Sequence, residues 1–171
     1  MKLFFILTIL TTQIFAIVNN LNTFQADFIQ TITDEKNKVL TYTGKISASK
    51  TQNALWRYIK PVAKNIYINK VSIIIVEPEI EQAIIRKITS DFDFFNIIKN
   101  AKRVDENHFL AKFENKTYNI KIENNLIESI SYIDQFENKV KILFSNQLQN
   151  KHIDKNIFIP KIPLEFDIIR D

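Results

Sequence analysis

The chain has 171 residues, 23 basic and 19 acidic side chains, a formal net charge of +4, one glycine and no cysteine. The lack of cysteine excludes disulfides, thiolate zinc sites and cysteine nucleophiles, and one glycine is too few for glycine-rich phosphate loops or a GxSxG nucleophile elbow. Basic and acidic residues are interleaved, with no basic stripe that could follow a nucleic-acid backbone, so we expect no nucleic-acid partner.

The N-terminal segment has the features of a secretory signal peptide. Met1-Lys2 is followed by an apolar run over Leu3–Leu10 and, after a short polar stretch, by the small residue Ala16. The run is shorter than the roughly 20 apolar residues that cross a bilayer. We predict a signal peptide over residues 1–16 and a single domain over 17–171, exported to the periplasm, soluble and not lipidated. The alternative is a buried N-terminal strand or helix.

Period-two alternation predicts strands in the first half of this domain. The alternating groups are Phe24, Ala26 and Phe28; Leu40, Tyr42, Gly44, Ile46 and Ala48; and Ala54, Trp56 and Tyr58. A continuous apolar strand is predicted over Val71–Val76, covered on both faces. A short helix is predicted before the first strand, over Val18–Thr23.

The second half repeats this rhythm in hairpin-like units. The alternating residues are Phe109, Ala111 and Phe113; Tyr118, Ile120 and Ile122; the segment Leu126 to Ile133; and Val140, Ile142 and Phe144. Polar turns such as Asn124-Asn125 separate them, with asparagine in the left-handed positions that glycine usually takes. Strands so close in sequence favour an antiparallel meander.

One segment has helical spacing instead. Ser90-Asp91-Phe92-Asp93 supplies an N-cap and acidic residues for a first turn, and apolar residues follow up to Lys99. The predicted fold is therefore mainly β (α+β), a strongly curved antiparallel sheet with short helices on one side. Because its inward side chains are large and apolar, the sheet and helices could enclose a chamber for an acyl chain.

Candidate catalytic groups are few. His108 and His152 have no companion motif, and we expect both at strand ends or in loops. The carboxylates of Glu77-Pro78-Glu79-Ile80-Glu81 could form a weak cation or acid/base site, but a turn between two strands is the simpler interpretation. We therefore expect no enzyme, cofactor or metal.

Trp56 and Tyr58 share one strand face, with Arg57 on the other. Ordinary core packing and the wall of a ligand chamber both account for this spacing, and periodicity does not separate them.

Several motifs follow one another in an order typical of one known family. They are Phe24-Gln25-Ala26-Asp27-Phe28-Ile29-Gln30, Gly44-Lys45-Ile46, Trp56-Arg57-Tyr58-Ile59-Lys60-Pro61, Val76-Glu77-Pro78-Glu79-Ile80-Glu81-Gln82-Ala83, the helix Phe92 to Lys99, and Phe158-Ile159-Pro160 or its neighbour Pro163. Together they resemble the LolA family of periplasmic lipoprotein carriers, over essentially all of the domain.

Two positions depart from the family pattern. Lys50-Thr51 stands where the family has Arg-Pro, whose arginine helps to hold a lid over the barrel, so Lys50 is the candidate lid latch without arginine's planar fork. Asn69-Lys70 stands in place of an Asp-Gly turn, which a type I′ turn tolerates less easily.

The resemblance implies an unclosed antiparallel β-barrel with a helical lid. It implies a monomeric chaperone that shields lipoprotein acyl chains, receives cargo from the inner-membrane ABC transporter complex of the Lol pathway and delivers it to an outer-membrane acceptor where one is present. The acceptor of that pathway carries a lipidated cysteine, so a chain without cysteine fits the carrier. A periplasmic hydrolase of lipid or envelope polymer and a carrier of other amphiphiles are the alternatives.

The residues expected to contact acyl chains lie on the strands and on the lid helix. They are Phe24, Phe28, Ala54, Trp56 and Tyr58 on the strands, Phe94, Phe95, Ile97 and Ile98 on the lid, and Phe158, which is expected to meet Ile97 across the mouth.

Overall fold

The computed structural model describes residues 20–51, 53–88, 94–113 and 115–170, apart from the side chain of Asn96. Its strands are β1 (Thr23–Thr33), β2 (Val39–Ser49), β3 (Asn53–Lys60), β4 (Lys64–Ile68), β5 (Ser72–Glu77), β6 (Gln82–Lys87), β7 (Lys102–Arg103), β8 (His108–Phe113), β9 (Lys116–Glu123), β10 (Leu126–Ile133), β11 (Lys139–Gln149) and β12 (Asp167–Arg170). Within these ranges there is one α-helix, α1 (Phe94–Lys99), and short 3-10 turns cover Pro78–Ile80 and Lys155–Phe158.

The strands form one open sheet in the order β12-β6-β5-β4-β3-β2-β1-β11-β10-β9-β8-β7. Two antiparallel meanders, β1–β6 and β7–β11, are joined where β1 pairs with β11. Because β7 and β12 lie at opposite ends of the order, the sheet is not a closed barrel, as predicted. β12 departs from the antiparallel prediction, because it pairs in parallel with β6. It follows β11 through a long connection instead of a hairpin turn.

The sheet is strongly bent. Ile68 of β4 and Tyr118 of β9 border one cavity, although their strands lie six places apart in the sheet. At about 4.8 Å per strand, a flat sheet would separate them by about 29 Å. The sheet therefore wraps around the cavity, and the face toward it is called the inner face below.

The predicted alternation places the core on this inner face. The largest fully buried side chains are Phe24, Phe28, Ile46, Ile98 and Ile120. Four of these five come from strands and Ile98 comes from α1, so the helix packs into the same core as the sheet.

Asparagine takes most of the left-handed positions among the described residues, mainly in turns. Positive φ angles occur at Asn37, Asn124, Asn125, Asn146 and Asn150, and also at Glu81 and Glu137. The interpretation of Asn124-Asn125 as a turn that replaces glycine is confirmed. The Asn69-Lys70 turn is built differently, because Asn69 Oδ1 accepts hydrogen bonds from the backbone N–H groups of Val71 and Ser72, each at 2.9 Å.

The single glycine is required by close packing rather than by a turn. A Cβ on Gly44 would lie 2.2 Å from the carbonyl oxygen of Arg57 and 2.6 Å from Cζ of Phe28. The Phe28 ring thus rests directly on the backbone of β2.

Some predicted elements end differently or lie outside the described residues. The helix predicted over Val18–Thr23 is wrong over its described part, since Asn20 is in a turn and Thr23 begins β1, whose residues follow strand periodicity. The signal peptide over 1–16 and the helix start at 90–93 lie outside the described residues. Within the described ranges, no helix is both long enough and apolar enough to span a membrane.

Candidate functional site

Helix α1 buries its apolar side chains against the inner face. Phe94 and Phe95 are 7% exposed, Ile97 is 5% and Ile98 is 1%, whereas Lys99 is exposed. A helix of six residues is too short to be stable alone in water. Its position is therefore fixed by packing on the sheet.

Aromatic rings connect α1 to the strands. The ring centroid of Phe94 lies 5.2 Å from that of Phe24, and the Phe24 ring meets Phe144 edge-on at 5.3 Å. Phe28 contacts both Trp56 and Tyr58 at 5.1 Å. These separations are within the range of favourable aromatic pairs, so helix and sheet share one continuous cluster.

Beside this cluster lies a cavity of about 190 Å³ between the inner face and α1. Its lining residues, drawn from both meanders and the helix, are Gln30, Trp56, Tyr58, Ile66, Ile68, Phe94, Ile97, Tyr118, Ile130, Tyr132 and Ile142. The walls are aromatic and aliphatic with a few polar groups, which is the composition of sites for apolar ligands.

The predicted site residues divide into two sets on this side of the sheet. Trp56, Tyr58, Phe94 and Ile97 line the cavity, and Ala54 and Phe95 border a gap of about 10 Å³ next to it. Phe24, Phe28 and Ile98 are at most 2% exposed and pack behind the lining. For Trp56, the structure thus places at least part of the ring on the wall of a chamber.

Phe158 does not belong to this chamber. It packs with Leu55, Tyr67 and Val76 in a second cluster. Leu55 lies between Ala54 and Trp56 on β3, so its side chain points to the outer face. The prediction that Phe158 meets Ile97 across the mouth is therefore wrong, because the segment after β11 crosses the outer face.

Lys50 lies exposed in the turn after β2, and its backbone N–H donates to the carbonyl of Asn22 at 2.8 Å. Neighbouring Ala48 and Asn53 border the small gap that Phe94 and Phe95 also line. The turn is thus at the end of the sheet where α1 docks. Among the described residues, the Lys50 ammonium makes no ion pair.

Sequence reasoning missed three polar residues of the wall. Gln30, Tyr118 and Tyr132 line the cavity together with apolar residues of β4, β10 and β11. The strand alternation that identified Phe28 and Ile120 puts these residues on the inner face too. The alternation predicts the inward position of residues such as Tyr118, but it does not indicate which inward residues border open space.

The polar groups of the wall are connected. Tyr58 Oη donates a hydrogen bond of 2.7 Å to Gln30 Oε1, and the Lys64 ammonium lies 4.9 Å from the centre of the Tyr58 ring. Burial, with smaller contributions from Tyr132 and Tyr42, raises the pKa of the Tyr58 hydroxyl above its ordinary value. Burial, followed by the influence of Tyr118 and Asp134, raises the pKa of Tyr132 to about 12. Both phenols are neutral donors at physiological pH.

The histidines and the acidic turn lie elsewhere. His108 Nδ1 lies 2.8 Å from Asp105 Oδ1 on the surface, and this hydrogen bond is the main cause that lowers the pKa of the Asp105 carboxyl. His152 is exposed in a loop. Pro78–Ile80 joins β5 to β6 as a turn, which confirms the simpler interpretation of that acidic motif.

A wider open groove of about 1100 Å³ runs over the ends of β1, β9, β10 and β11. Residues such as Thr31, Ser131 and Lys141 line it. Most of its lining residues are polar or charged, whereas the cavity beside α1 is lined mainly by aromatic and aliphatic residues. The smaller cavity under α1 is the better candidate site.

An open sheet bent around an apolar cavity, with a helix over that cavity, defines a class of protein that can hold a hydrophobic ligand. The family model for outer membrane lipoprotein carrier protein LolA matches residues 19–94. The outer-membrane lipoprotein carrier protein of Campylobacter jejuni is 41% identical over 169 residues, covering 99% of both chains. The chain belongs to the LolA family.

Other relatives support this assignment. The outer-membrane lipoprotein carrier protein of Wolinella succinogenes is 32% identical over 91% of each chain. That of Helicobacter pylori strain HPAG1 is 34% identical over 90% of this chain and 83% of its own.

Solved structures show the same fold at low sequence identity. A LolA superfamily protein from Nitrosomonas europaea matches with a TM-score of 0.56 and 10% identity, covering 85% of this chain and 94% of its own. An uncharacterized conserved protein from Thermus thermophilus also has a TM-score of 0.56 at 10% identity, over 92% and 97% of the two chains.

Proposed function

We propose that this chain is a periplasmic carrier that encloses the acyl chains of lipoproteins between the inner face of the sheet and α1. One observation carries the proposal: the sheet residues Trp56 and Tyr58 and the helix residues Phe94 and Ile97 line one apolar cavity. The printed names of the relatives as outer-membrane lipoprotein carrier proteins support the nature of the cargo.

The hydrophobic effect supplies the affinity. Each methylene removed from water contributes about 0.8 kcal/mol, so even ten methylenes contribute about 8 kcal/mol. The same effect would prevent release if the chamber enclosed its cargo permanently. A carrier therefore needs a chamber that opens, and it needs no covalent chemistry.

The size of the cavity supports a moving lid. Its volume of about 190 Å³ lies below the roughly 300–1,000 Å³ of pockets for drug-sized ligands. The described arrangement holds at most part of an acyl chain. In our proposal α1 moves off the inner face when cargo enters, and its apolar side chains then line the enlarged chamber.

Lys50 is the latch in this proposal. Its turn borders the end of the sheet where Phe94 and Phe95 pack. An ammonium there can donate hydrogen bonds to the helical segment, but it lacks the flat bidentate geometry of arginine. We expect a latch weaker than the family's arginine would make.

The cellular route completes the proposal. The segment 1–16 directs export, the domain over 17–171 is monomeric, and cargo passes from the inner-membrane ABC transporter complex to an outer-membrane acceptor. In this proposal the carrier is not lipidated.

Native purification tests this function. The protein is isolated from the periplasm without denaturant, and its bound molecules and its own N-terminus are identified by mass spectrometry. We expect acylated lipoproteins on a chain that begins near Ile17. Recovery of only free phospholipid or glycolipid would contradict the lipoprotein cargo and support a carrier of other amphiphiles. A cytoplasmic chain that retains residues 1–16 would contradict the export route.

A further inference from the structure

Gln30 is a buried polar residue on the mostly apolar inner face. It is only 8% exposed, and it occupies an inward position of β1, two residues after Phe28. Its side chain also borders the cavity. A primary amide has one oxygen acceptor and two N–H donors, and each of these groups is costly to bury without a partner.

Among the residues that the structure describes, only the oxygen of this amide has a hydrogen-bond partner. Tyr58 Oη donates to Gln30 Oε1 at 2.7 Å, and the Tyr58 ring also contacts the Phe28 ring and lies 4.9 Å from the Lys64 ammonium. This contact fixes the oxygen of the amide on Tyr58. The Nε2 group has no acceptor among the described residues, and it is not among the atoms sealed from contact with solvent. Its N–H groups therefore open onto the cavity.

Acyl chains themselves offer nothing for such a donor. The first acceptor on an acylated molecule is the carbonyl oxygen of the ester or amide that joins the chain to its head group. A neutral N–H donor suits a neutral carbonyl oxygen, and in an apolar wall that hydrogen bond is stronger than it would be in water.

We infer that Gln30 Nε2 donates a hydrogen bond to the carbonyl oxygen of an acyl ester or amide in the chamber, with Tyr58 as the positioning residue for the Gln30 side chain. The inference rests on the proposed function and deepens it. It gives the chamber a polar reference point that sets how far an acyl chain enters, and it makes the carrier selective for acyl groups over plain alkyl groups.

Two lipids that differ in one carbonyl oxygen provide the test. Monopalmitoylglycerol has an ester carbonyl, and its ether analogue hexadecylglycerol has the same chain and head group without it. Binding of each is measured by calorimetry and by the emission of Trp56. We expect the wild-type protein to bind the ester roughly five- to tenfold more tightly than the ether, as one neutral hydrogen bond provides.

The variants separate a binding role from a structural one. Gln30→Leu should lose the ester preference, and because it also leaves the buried Tyr58 hydroxyl without its acceptor, it should lower thermal stability modestly while the protein stays folded. Tyr58→Phe should reduce the preference, since the amide is then free to turn. Thr41→Ala, at an exposed position of β2, is the matched control and should leave the preference unchanged.

The outcomes distinguish the two proposals. Equal affinity of the wild-type protein for ester and ether, or an undiminished preference in folded Gln30→Leu, overturns the role of Gln30 and leaves the chamber intact. Binding of neither lipid contradicts the chamber itself. The comparison in the wild-type protein decides the matter even if a variant fails to fold.

Discussion

The ring of Phe94 on α1 lies 5.2 Å from the ring of Phe24 on β1, tilted by 33°. Phe24 is fully buried, and it is also in edge contact with Phe144 of β11. The helix is thus attached at the seam where the two meanders join. Because α1 is too short to persist alone, packing contacts such as this one hold it over the chamber.

Phe94→Ala should loosen α1 without unfolding the sheet. Removing a buried phenylalanine costs about 3–5 kcal/mol, so amide hydrogen exchange over residues 94–99 should accelerate by about a hundredfold or more. Exchange in β1 and β11 should change much less. Lys99→Ala, at an exposed position of the same helix, is the control. Equal acceleration across the sheet would show that α1 is part of the permanent core.

Gly44→Ala should destabilise the protein although the φ angle of Gly44 is ordinary. The added methyl group would lie 2.2 Å from the Arg57 carbonyl oxygen and 2.6 Å from the Phe28 ring. Overpacking of this kind costs about 1–3 kcal/mol, which lowers the midpoint of thermal unfolding by several degrees. Thr41→Ala, an exposed change on the same strand, should lower the midpoint much less than Gly44→Ala does. A Gly44→Ala midpoint equal to that of the wild type would mean that β2 and β3 separate easily.

Trp56 should report occupancy of the cavity. It is the only tryptophan, and it lines the cavity beside Tyr58. A bound acyl chain replaces water or empty space at the indole with methylene groups, so its emission should move to shorter wavelength in proportion to binding. A glycerol ester with a very short chain is the control and should cause no shift. An unchanged spectrum while calorimetry records binding would place the ligand elsewhere.

Tyr58 and Tyr132 on the inner face should lose their phenolic protons at higher pH than an exposed tyrosine does. Burial raises the pKa of Tyr132 from an ordinary value of 10.0 to about 12, and it raises that of Tyr58 as well. The folded state therefore holds these protons more firmly than the unfolded state does, so this contribution to stability is complete below pH 10 and is lost as pH rises toward 12.

Absorbance of tyrosinate measures this directly. Tyr58 and Tyr132 should contribute a late phase of ionisation, and Tyr132→Phe should remove part of that phase and flatten the fall in stability above pH 10. The absence of a late phase of ionisation above the ordinary tyrosine pKa would contradict the burial of these two phenols on the inner face.

Alternation in the sequence was enough to predict the inner faces of most strands. Phe24, Phe28 and Ile46 point inward because period two leaves no other choice once one face is apolar. The side on which Phe158 packs could not be predicted, because its segment has no strand periodicity and its place depends on a crossing of the outer face. The parallel pairing of β12 with β6 could not be predicted either, because β12 also follows this crossing segment.

The candidate site was predicted less completely than the fold. Large apolar residues were expected on the wall, and Trp56, Tyr58, Phe94 and Ile97 are there. Which inward residues line the open space and which, like Phe24, fill the core depends on the curvature of the sheet. That curvature arises from contacts between distant strands and is not written in any local pattern.

Locking α1 to the sheet tests the central claim, that the helix covers the chamber and moves to admit cargo. Ala54 and Phe95 border the same gap of about 10 Å³, so cysteines at these positions can be joined by a short, reducible thiol crosslinker. The chain has no native cysteine to interfere. The matched control joins cysteines at Leu55 and Phe158, which pack together on the outer face.

The measurement is uptake of a purified acylated lipoprotein by the crosslinked protein, before and after reduction. We predict that the Ala54→Cys, Phe95→Cys protein loses uptake when crosslinked and regains it on reduction, while the outer-face control takes up cargo in both states. Full uptake with α1 covalently held to β3 would contradict the lid and, with it, the account of how the chamber is filled.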